Sequence, residues 1–503
     1  MVGCGSGGSS SAGSSSELAE FASPGSLVFV EANLKPKGEL KSGADSIANK
    51  LTGEASLRDF VVSQLESAAR DEGESLDFAA EVEPWLGDRG AVAFERVVKG
   101  DLSEPLIVVQ TTSSKAAQAF VDKSTARSKD PSKDASYDGV DFKVGGPEDD
   151  AVGVIGEALV LAGSEKEFKD AIDASKGESL GGEDSFQSTI ELASSGSLAD
   201  VYVDVGGFLD QSRDDIDPQA RSALESSGID PNDATAVASV IPHSDQVEID
   251  VNGDFGGEKP PSGDASKLLG SLPAGSLAAF ASSGFGEQLE EAIDRLDEEG
   301  VPPDLKPGEL KSAMSRAGID LDAIASSLQE AAIFAEGNSE ASLKGALVVT
   351  SESEEAAKAI AGLGTLLRTA RVPGVTAISG KASGFSVRSD ELGEKPLVVV
   401  GKGDRVAIGY SLAPALAMLD SSSGATLASA PSYKAAVAAL GKTPISGFVD
   451  GPAALSLAEA LVPRSKTDFW EAVPYLKKIS YIGIGSGEGD ESPTATLIAG
   501  VGK

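Results

Sequence analysis

The chain has 503 residues, 41% of them hydrophobic, which is enough to bury more than one core, so two or more domains are expected. Its 42 Lys and Arg against 79 Asp and Glu leave a net charge of −37, which repels nucleic acid and anionic membrane surfaces and excludes a nucleic-acid partner. One Cys and one His exclude an intramolecular disulfide, a cysteine-based zinc site and a zinc site built from several histidines.

The first feature along the chain is a tail. In MVGCGSGGSSSAGSSSE, Val2-Gly3-Cys4-Gly5 resembles the end of a bacterial lipobox, where small or aliphatic residues precede a cysteine that receives diacylglycerol and becomes the mature N-terminus. Residues 1–16 are therefore expected to be a lipidated Cys4 followed by a flexible Ser/Gly-rich tether. The basic and apolar stretches of an export signal are not found ahead of Cys4, so either the natural start lies upstream or the cysteine is a free thiol in a polar tail. No apolar run elsewhere approaches the ~18 residues of a spanning helix, so membrane attachment is expected through Cys4.

Ser23–Ala32, SPGSLVFVEA, sets Pro and Gly ahead of a short apolar run, which predicts a turn and a buried strand. VEPWLGDRGAVAF follows from Val82. Its Trp85, beside a turn and flanked by Val82 and Leu86, reads either as packing of an element end or as a tentative binding anchor. LIVVQTTSSKAAQAFV, from Leu106, and EALVLAGSEKEFKDAID are each a strand running into a helix, and Ser164 with Glu167 has capping-box spacing in the second. A further strand closes on Asp204. His243, in VIPHSDQ after Pro242, falls in a predicted turn between two strand-like runs. QVEIDVNGDF alternates Val247, Ile249 and Val251 with Glu248, Asp250 and Asn252, the pattern of a strand with one wet face in an antiparallel sheet.

After GGEKPPSGDASK, Gly256 to Lys267, the order begins again. PAGSLAAFAS returns at Pro273, and ALVVTSESEEAAKAIA from Ala346 matches the block from Leu106 without a gap, with Ser351 and Glu354 at capping-box spacing. DRVAIGYSLAPALAMLD repeats a strand, a Ser and a helix, with Pro414 in the helix's first turn. GATLASAPSYKAAVAALGKTPISGFVDG sets Leu427, Tyr433 and Asp450 against Leu180, Phe186 and Asp204. Phe285, Leu289, Ala292, Ile293 and Leu296 fall at helical spacing and predict a covering helix. The separation of copies, 240 residues between Leu106 and Ala346, is too long for a solenoid repeat and implies a tandem duplication. The expected class is α+β: two internally duplicated domains, 17–256 and 268–503 joined by 257–267, each a mainly antiparallel sheet layered with helices.

The opening SPGSLVFVEANL, LPAGSLAAFA, the VEPWLGDRGAVAF block, YDGVDFKV from Tyr137 and GEALVLAGSEKEFKDAID resemble the bacterial family catalogued as domain of unknown function 3352. The resemblance covers nearly all of the chain after the tether. It implies export, often with a lipobox, and brings no activity, substrate or cofactor.

Chemistry is sought in the residues themselves. A Ser-His-Asp or Cys-His relay would have to use His243, whose turn placement is the simpler account. Asp250, Asn252 and Asp254 match the first spacings of a calcium loop, but Phe255 stands where the loop needs Gly and Pro261 where it needs Glu. GIGSGEG, from Gly483, imitates a dinucleotide fingerprint yet leads into a strand-like segment rather than a helix. The acidic groups Glu148-Asp149-Asp150 and Asp214-Asp215 with Asp217 read as solvated loops. Two readings remain. The first is a non-enzymatic, extracytoplasmic envelope protein that needs no cofactor, anchored in the membrane through Cys4 and binding an unknown envelope ligand or protein through its paired domains. The second is a carboxylate-dependent hydrolase of cell-wall glycan, for which Asp204 and Asp450 are the duplicated acids.

Overall fold

The computed structural model describes residues 16–71, 75–98, 101–127, 132–145, 150–212, 234–254, 263–299, 306–316, 319–352, 362–365, 367–369, 371–389, 395–419, 424–487 and 494–502. The chain divides into two units, Met1–Glu258 and Lys259–Lys503.

In the first unit the turn at Ser23–Gly25 leads into β1 (Val28–Asn33), and Gly25 takes the left-handed backbone, φ 74°, that the turn requires. The other strands are β2 (Leu86–Val98), β3 (Asp101–Thr111), β4 (Lys133–Tyr137), β5 (Val140–Gly145), β6 (Asp150–Ile155), β7 (Ala158–Ala162), β8 (Ala199–Asp204), β9 (Thr235–Pro242) and β10 (Gln246–Asp254). Every pairing is antiparallel, in the order β10-β9-β8-β1-β2-β3-β7-β6-β5-β4. One face carries the main core. Phe29, Phe142 and Tyr202 from the strands meet Phe168 and Ile172 of the helix Glu165–Ala174, and Phe186 of the helix Asp184–Ile190. Phe186 stands edge-on to both Phe29, 5.6 Å away, and Tyr202, 4.9 Å away. Full burial of each such ring contributes about 1.5–3 kcal/mol. The Glu165–Ala174 helix starts as its spacing predicts, with the Ser164 hydroxyl accepting from the Glu167 amide at 3.2 Å.

The second unit has β11 (Ala278–Ser282), β12 (Leu328–Glu336), β13 (Lys344–Ser351), β14 (Val375–Ile378), β15 (Ser383–Val387), β16 (Leu397–Lys402), β17 (Arg405–Tyr410), β18 (Ile445–Asp450), β19 (Ile479–Ser486) and β20 (Ala495–Val501). They pair antiparallel in the order β20-β19-β18-β11-β12-β13-β17-β16-β15-β14. Phe334, Val348, Val400 and Phe448 meet Leu269, Met418, Leu427 and Tyr433, which come from short helices laid on the same face. Tyr433 stands edge-on to Phe448 at 5.4 Å. Ala265 is buried and Ser266–Gly270 is helical, so the C-terminal end of the predicted join belongs to this core rather than to a linker.

The predicted architecture of antiparallel sheets layered with helices is present, with one correction. The alternation in β10 was expected to turn its polar residues to water. Asp250 instead lies on the helix-covered face and is 6% exposed, while Val251 is half-buried on the other. Alternation fixes that a strand has two faces, and hydrogen-bond partners decide which of them a polar residue takes.

Candidate functional site

A row of polar side chains, three of them carboxylates, crosses the first sheet. Glu31 of β1 lies opposite Asp200 of β8, Asp200 opposite Ser239 of β9, and Ser239 opposite Asp250 of β10. Glu31, Ser239 and Asp250 are buried. Buried carboxylates need donors, and the segment 191–198 supplies two of them, Ser194 and Ser197. Asp200 accepts from the Ser197 hydroxyl at 2.8 Å and the Ser239 hydroxyl at 2.7 Å. Ser239 accepts from the Ser194 amide at 2.9 Å, and Asp250 from the Ser194 hydroxyl at 2.8 Å. Asn252 donates to the Leu192 carbonyl at 2.9 Å. Glu31 pairs with Arg89 and accepts from Ser16. The row is thus a clamp on a loop, and its acids are engaged by neighbours rather than turned toward a substrate.

The second sheet closes the same end of its core differently. Glu330 of β12 exchanges bonds with Thr350, its amide donating to the hydroxyl at 3.1 Å, and Arg405 of β17 lies opposite Thr350. Burial, and then the charge of Asp264, push the Glu330 carboxyl above the usual range. Bonds from Ser266 hold Asp264 below it. The Tyr433 hydroxyl is pushed up to about 12, chiefly by burial and then by Asp264. A carboxyl held up within electrostatic reach of one held down is the pattern acid–base pairs use, but Asp264 is exposed and spends its charge at the entry to the Ser266–Gly270 helix, its Oδ1 accepting from the Ser266 amide at 2.9 Å.

The faces opposite the main cores are the larger feature. One register row of the first sheet runs Val251, Ala238, Val201, Val30, Val92, Ile107, Leu161, Val152, from β10 to β6. The equivalent row of the second runs Leu497, Ile484, Gly447, Phe280, Ile333, Leu347, Ile408, Val399, from β20 to β16. Neither row contains a polar side chain. Trp85, Phe78 and Val121 cover one end of this face in the first unit, and Phe285 and Leu289 do so in the second. Toward the centre it is open: Ile107 and Leu161 are each 37% exposed, Phe280 43% and Ile333 51%. The Phe280 ring lies over Gly447, where an added Cβ would come within 2.9 Å of it. Soluble proteins rarely leave contiguous apolar surface of this kind without a use for it.

Residues singled out from the sequence distribute as follows. Cys4 and the acids Glu148, Asp149, Asp214, Asp215 and Asp217 lie outside the described residues, and Asp150 begins β6. Trp85 is 3% exposed, its indole N–H donates to the Glu81 carbonyl at 2.7 Å and its ring meets Phe120 at 5.4 Å, so it packs an element end and offers no face to a ligand. His243 sits in the β9–β10 hairpin, bonded to Glu248 at 2.7 Å. Asp204 and Asp450 end strands and cap helices, accepting from the Gly207 amide at 2.8 Å and the Ala453 amide at 3.1 Å. Asp250, Asn252 and Asp254 belong to β10, and no group of His, Cys, Asp and Glu among the described residues is arranged to hold a metal ion. Gly483 and Gly485 lie in β19, which pairs with β20 and opens no helix. Sequence reasoning missed Phe280 and Ile333. AAFAS and EAAIFAE place Phe280 and Ile333 on the face opposite their core-facing neighbours Ala279, Ala281, Ala332 and Phe334, a signal that becomes a surface only once the register sets the two side by side.

Among the described residues no helix is long and apolar enough to cross a membrane. The family model described as protein of unknown function (DUF3352) matches residues 56–497, most of the chain. No curated protein and no solved structure matches it.

Proposed function

This chain belongs to the DUF3352 family, and from that premise we propose that it is a non-enzymatic binding protein of the bacterial envelope, lipid-anchored through Cys4, that holds an apolar ligand or partner against its open sheet faces. The observation that carries the binding role is the uninterrupted apolar row on each sheet, with Phe280 and Ile333 half in solvent at its centre. A face that buried nothing would gain from a Lys, Glu or Thr at every second position, and these rows have none. The lipobox-like start and the Ser/Gly tether support the envelope address. A tandem duplication is supported by the shared strand order of the two units and by the paired caps Asp204 and Asp450, each closing the strand beside the first.

Two measurements test the reading. Protein from its native host is expected to carry diacylglyceryl mass and to enter the detergent phase, and Cys4→Ala to lose both; an unmodified thiol in the aqueous phase would end the envelope reading. Organic extraction of the same protein, read by mass spectrometry, is expected to release a bound apolar compound, or cross-linking to capture a partner. Ile333→Glu and Ile107→Glu are expected to reduce either at least about tenfold by placing a charge on the face while leaving the fold intact. Retention of the ligand or partner by both variants would remove the faces from the proposal.

A further inference from the structure

We propose that the corner formed by the helix Thr467–Leu476 and the loop before it seats on phospholipid headgroups. The segment breaks with the rest of the molecule in charge. In a chain of net charge −37, residues 464–478 hold four cations, Arg464, Lys466, Lys477 and Lys478, against two acids, Asp468 and Glu471. Net charge repels an anionic surface at long range, but at physiological salt the field is screened within about 8 Å, so a surface at contact meets this patch and not the whole chain.

The apolar part has the composition that lies in a membrane–water interface. Leu461 is 48% exposed and Tyr475 47% exposed. Between them Trp470 is half-buried, its indole N–H donating to the Pro463 carbonyl at 3.1 Å, with the Arg464 guanidinium stacked 3.6 Å from the ring centre. Phe469 braces the indole edge-on at 5.1 Å. Val473 is buried and fixes the helix to its unit, and Lys477 pairs with Glu459 of the preceding helix at 3.3 Å. Such a corner presents a rigid aromatic wedge with a cationic rim. Trp, Tyr and Arg also make protein hot spots, but the excess of cations over acids across 464–478 favours a surface of phosphates. The chain's other tryptophan, Trp85, is 3% exposed and takes no part.

The inference adds a second membrane contact to the proposed anchor and is tested without it, on the full chain carrying Cys4→Ala. This protein is expected to sediment with vesicles of phosphatidylcholine mixed with phosphatidylglycerol. Its tryptophan emission should shift to the blue and be quenched by brominated acyl chains, since only Trp470 can reach them. Lys466→Glu with Lys478→Glu, and separately Trp470→Ala with Tyr475→Ala, should each weaken partitioning at least about tenfold, with far-ultraviolet circular dichroism unchanged. Lys466 is exposed and Lys478 half-buried, neither lies in the core, and this charge pair keeps the test valid if the aromatic pair misfolds. Failure to bind the mixed vesicles, binding without quenching, or binding that the charge pair retains would overturn the proposal. None of these outcomes bears on lipidation of Cys4.

Discussion

The two units place different chemistry on the same strand positions. Where the first sheet carries Asp200, Ser239 and Asp250 in one row, the second, beside a register shift between Ile445 and Gly447, carries Ile445, Gly485 and Thr496. The loop each sheet must hold explains the contrast. In the first unit eight residues, 191–198, separate the helix ending at Ile190 from β8; their amide and hydroxyl groups bond to the row, and the Leu192 carbonyl accepts from Asn252 beside it. In the second only four, 441–444, separate Leu440 from β18. A long loop crossing a sheet has backbone groups to satisfy, and a short one has few. Asp200 and Asp250 therefore follow from loop length, Glu31 is held by Arg89 and Ser16, and the acidic row should be read as structure before it is read as a site.

The cores differ in a related way, and the largest effect is expected there. Among the described residues Phe186 touches two rings, Phe29 and Tyr202, whereas Tyr433 touches one, Phe448, because Ala279 takes the place of Phe29. Phe186→Ala is expected to destabilise the first unit by about 3–5 kcal/mol. Tyr433→Ala should cost the second roughly 1 kcal/mol less, by the missing aromatic pair. Denaturant unfolding followed by hydrogen exchange at each core would show both. Equal losses would mean that the Ala279 side repacks to compensate.

A smaller loss, about 1–3 kcal/mol, is expected from Ser239→Ala, which leaves the Ser194 amide and one Asp200 oxygen without their partner. Exchange protection should fall across 191–198 and in β9, and the second unit should not respond. A loss below about 0.5 kcal/mol would show that the loop is held by its other bonds and that the row is not its clamp.

Much of this architecture was legible in the sequence because it rests on local rules. The Pro/Gly turns before β1 and β11, the Ser164 cap and the helix Phe285–Glu299 each follow from spacing over a few residues. The surfaces were not legible for the opposite reason. Phe280 and Ile333 are 53 residues apart, and Glu31 and Asp200 are 169 apart; each pair becomes adjacent only through sheet register. Trp85 illustrates the same limit. Its flanks left packing of an element end and a binding anchor both open, and Phe120, from a helix 35 residues on, decides for packing.

The subtlest difference concerns pH. Arg89 stands five residues before Phe94, whose carbonyl accepts from the Leu27 amide; Glu330 stands five before Ala335, which accepts from the Leu277 amide. One position thus holds a permanent cation in the first unit and a carboxyl pushed upward by burial and Asp264 in the second. A carboxyl whose folded pKa is raised contributes stability below its unfolded value, and that contribution is lost as pH rises through the folded value. Glu81, in the first unit, has the opposite sign: Arg127, and then Lys123, hold it down, so its contribution is present above the unfolded value and lost as pH falls through the folded one. The two groups therefore tilt the stabilities of their units in opposite directions, Glu81 as the pH falls below the ordinary carboxylate value and Glu330 as it rises above it. Glu330→Gln should raise the melting temperature of the second unit at pH 7, with the gain shrinking to nothing as the pH drops through the carboxylate range. Calorimetry of the variant across that range decides it. A gain that persists in acid would trace to packing of the amide, and no gain at neutral pH would mean that Arg405 and Lys267 already balance the charge that burial and Asp264 oppose.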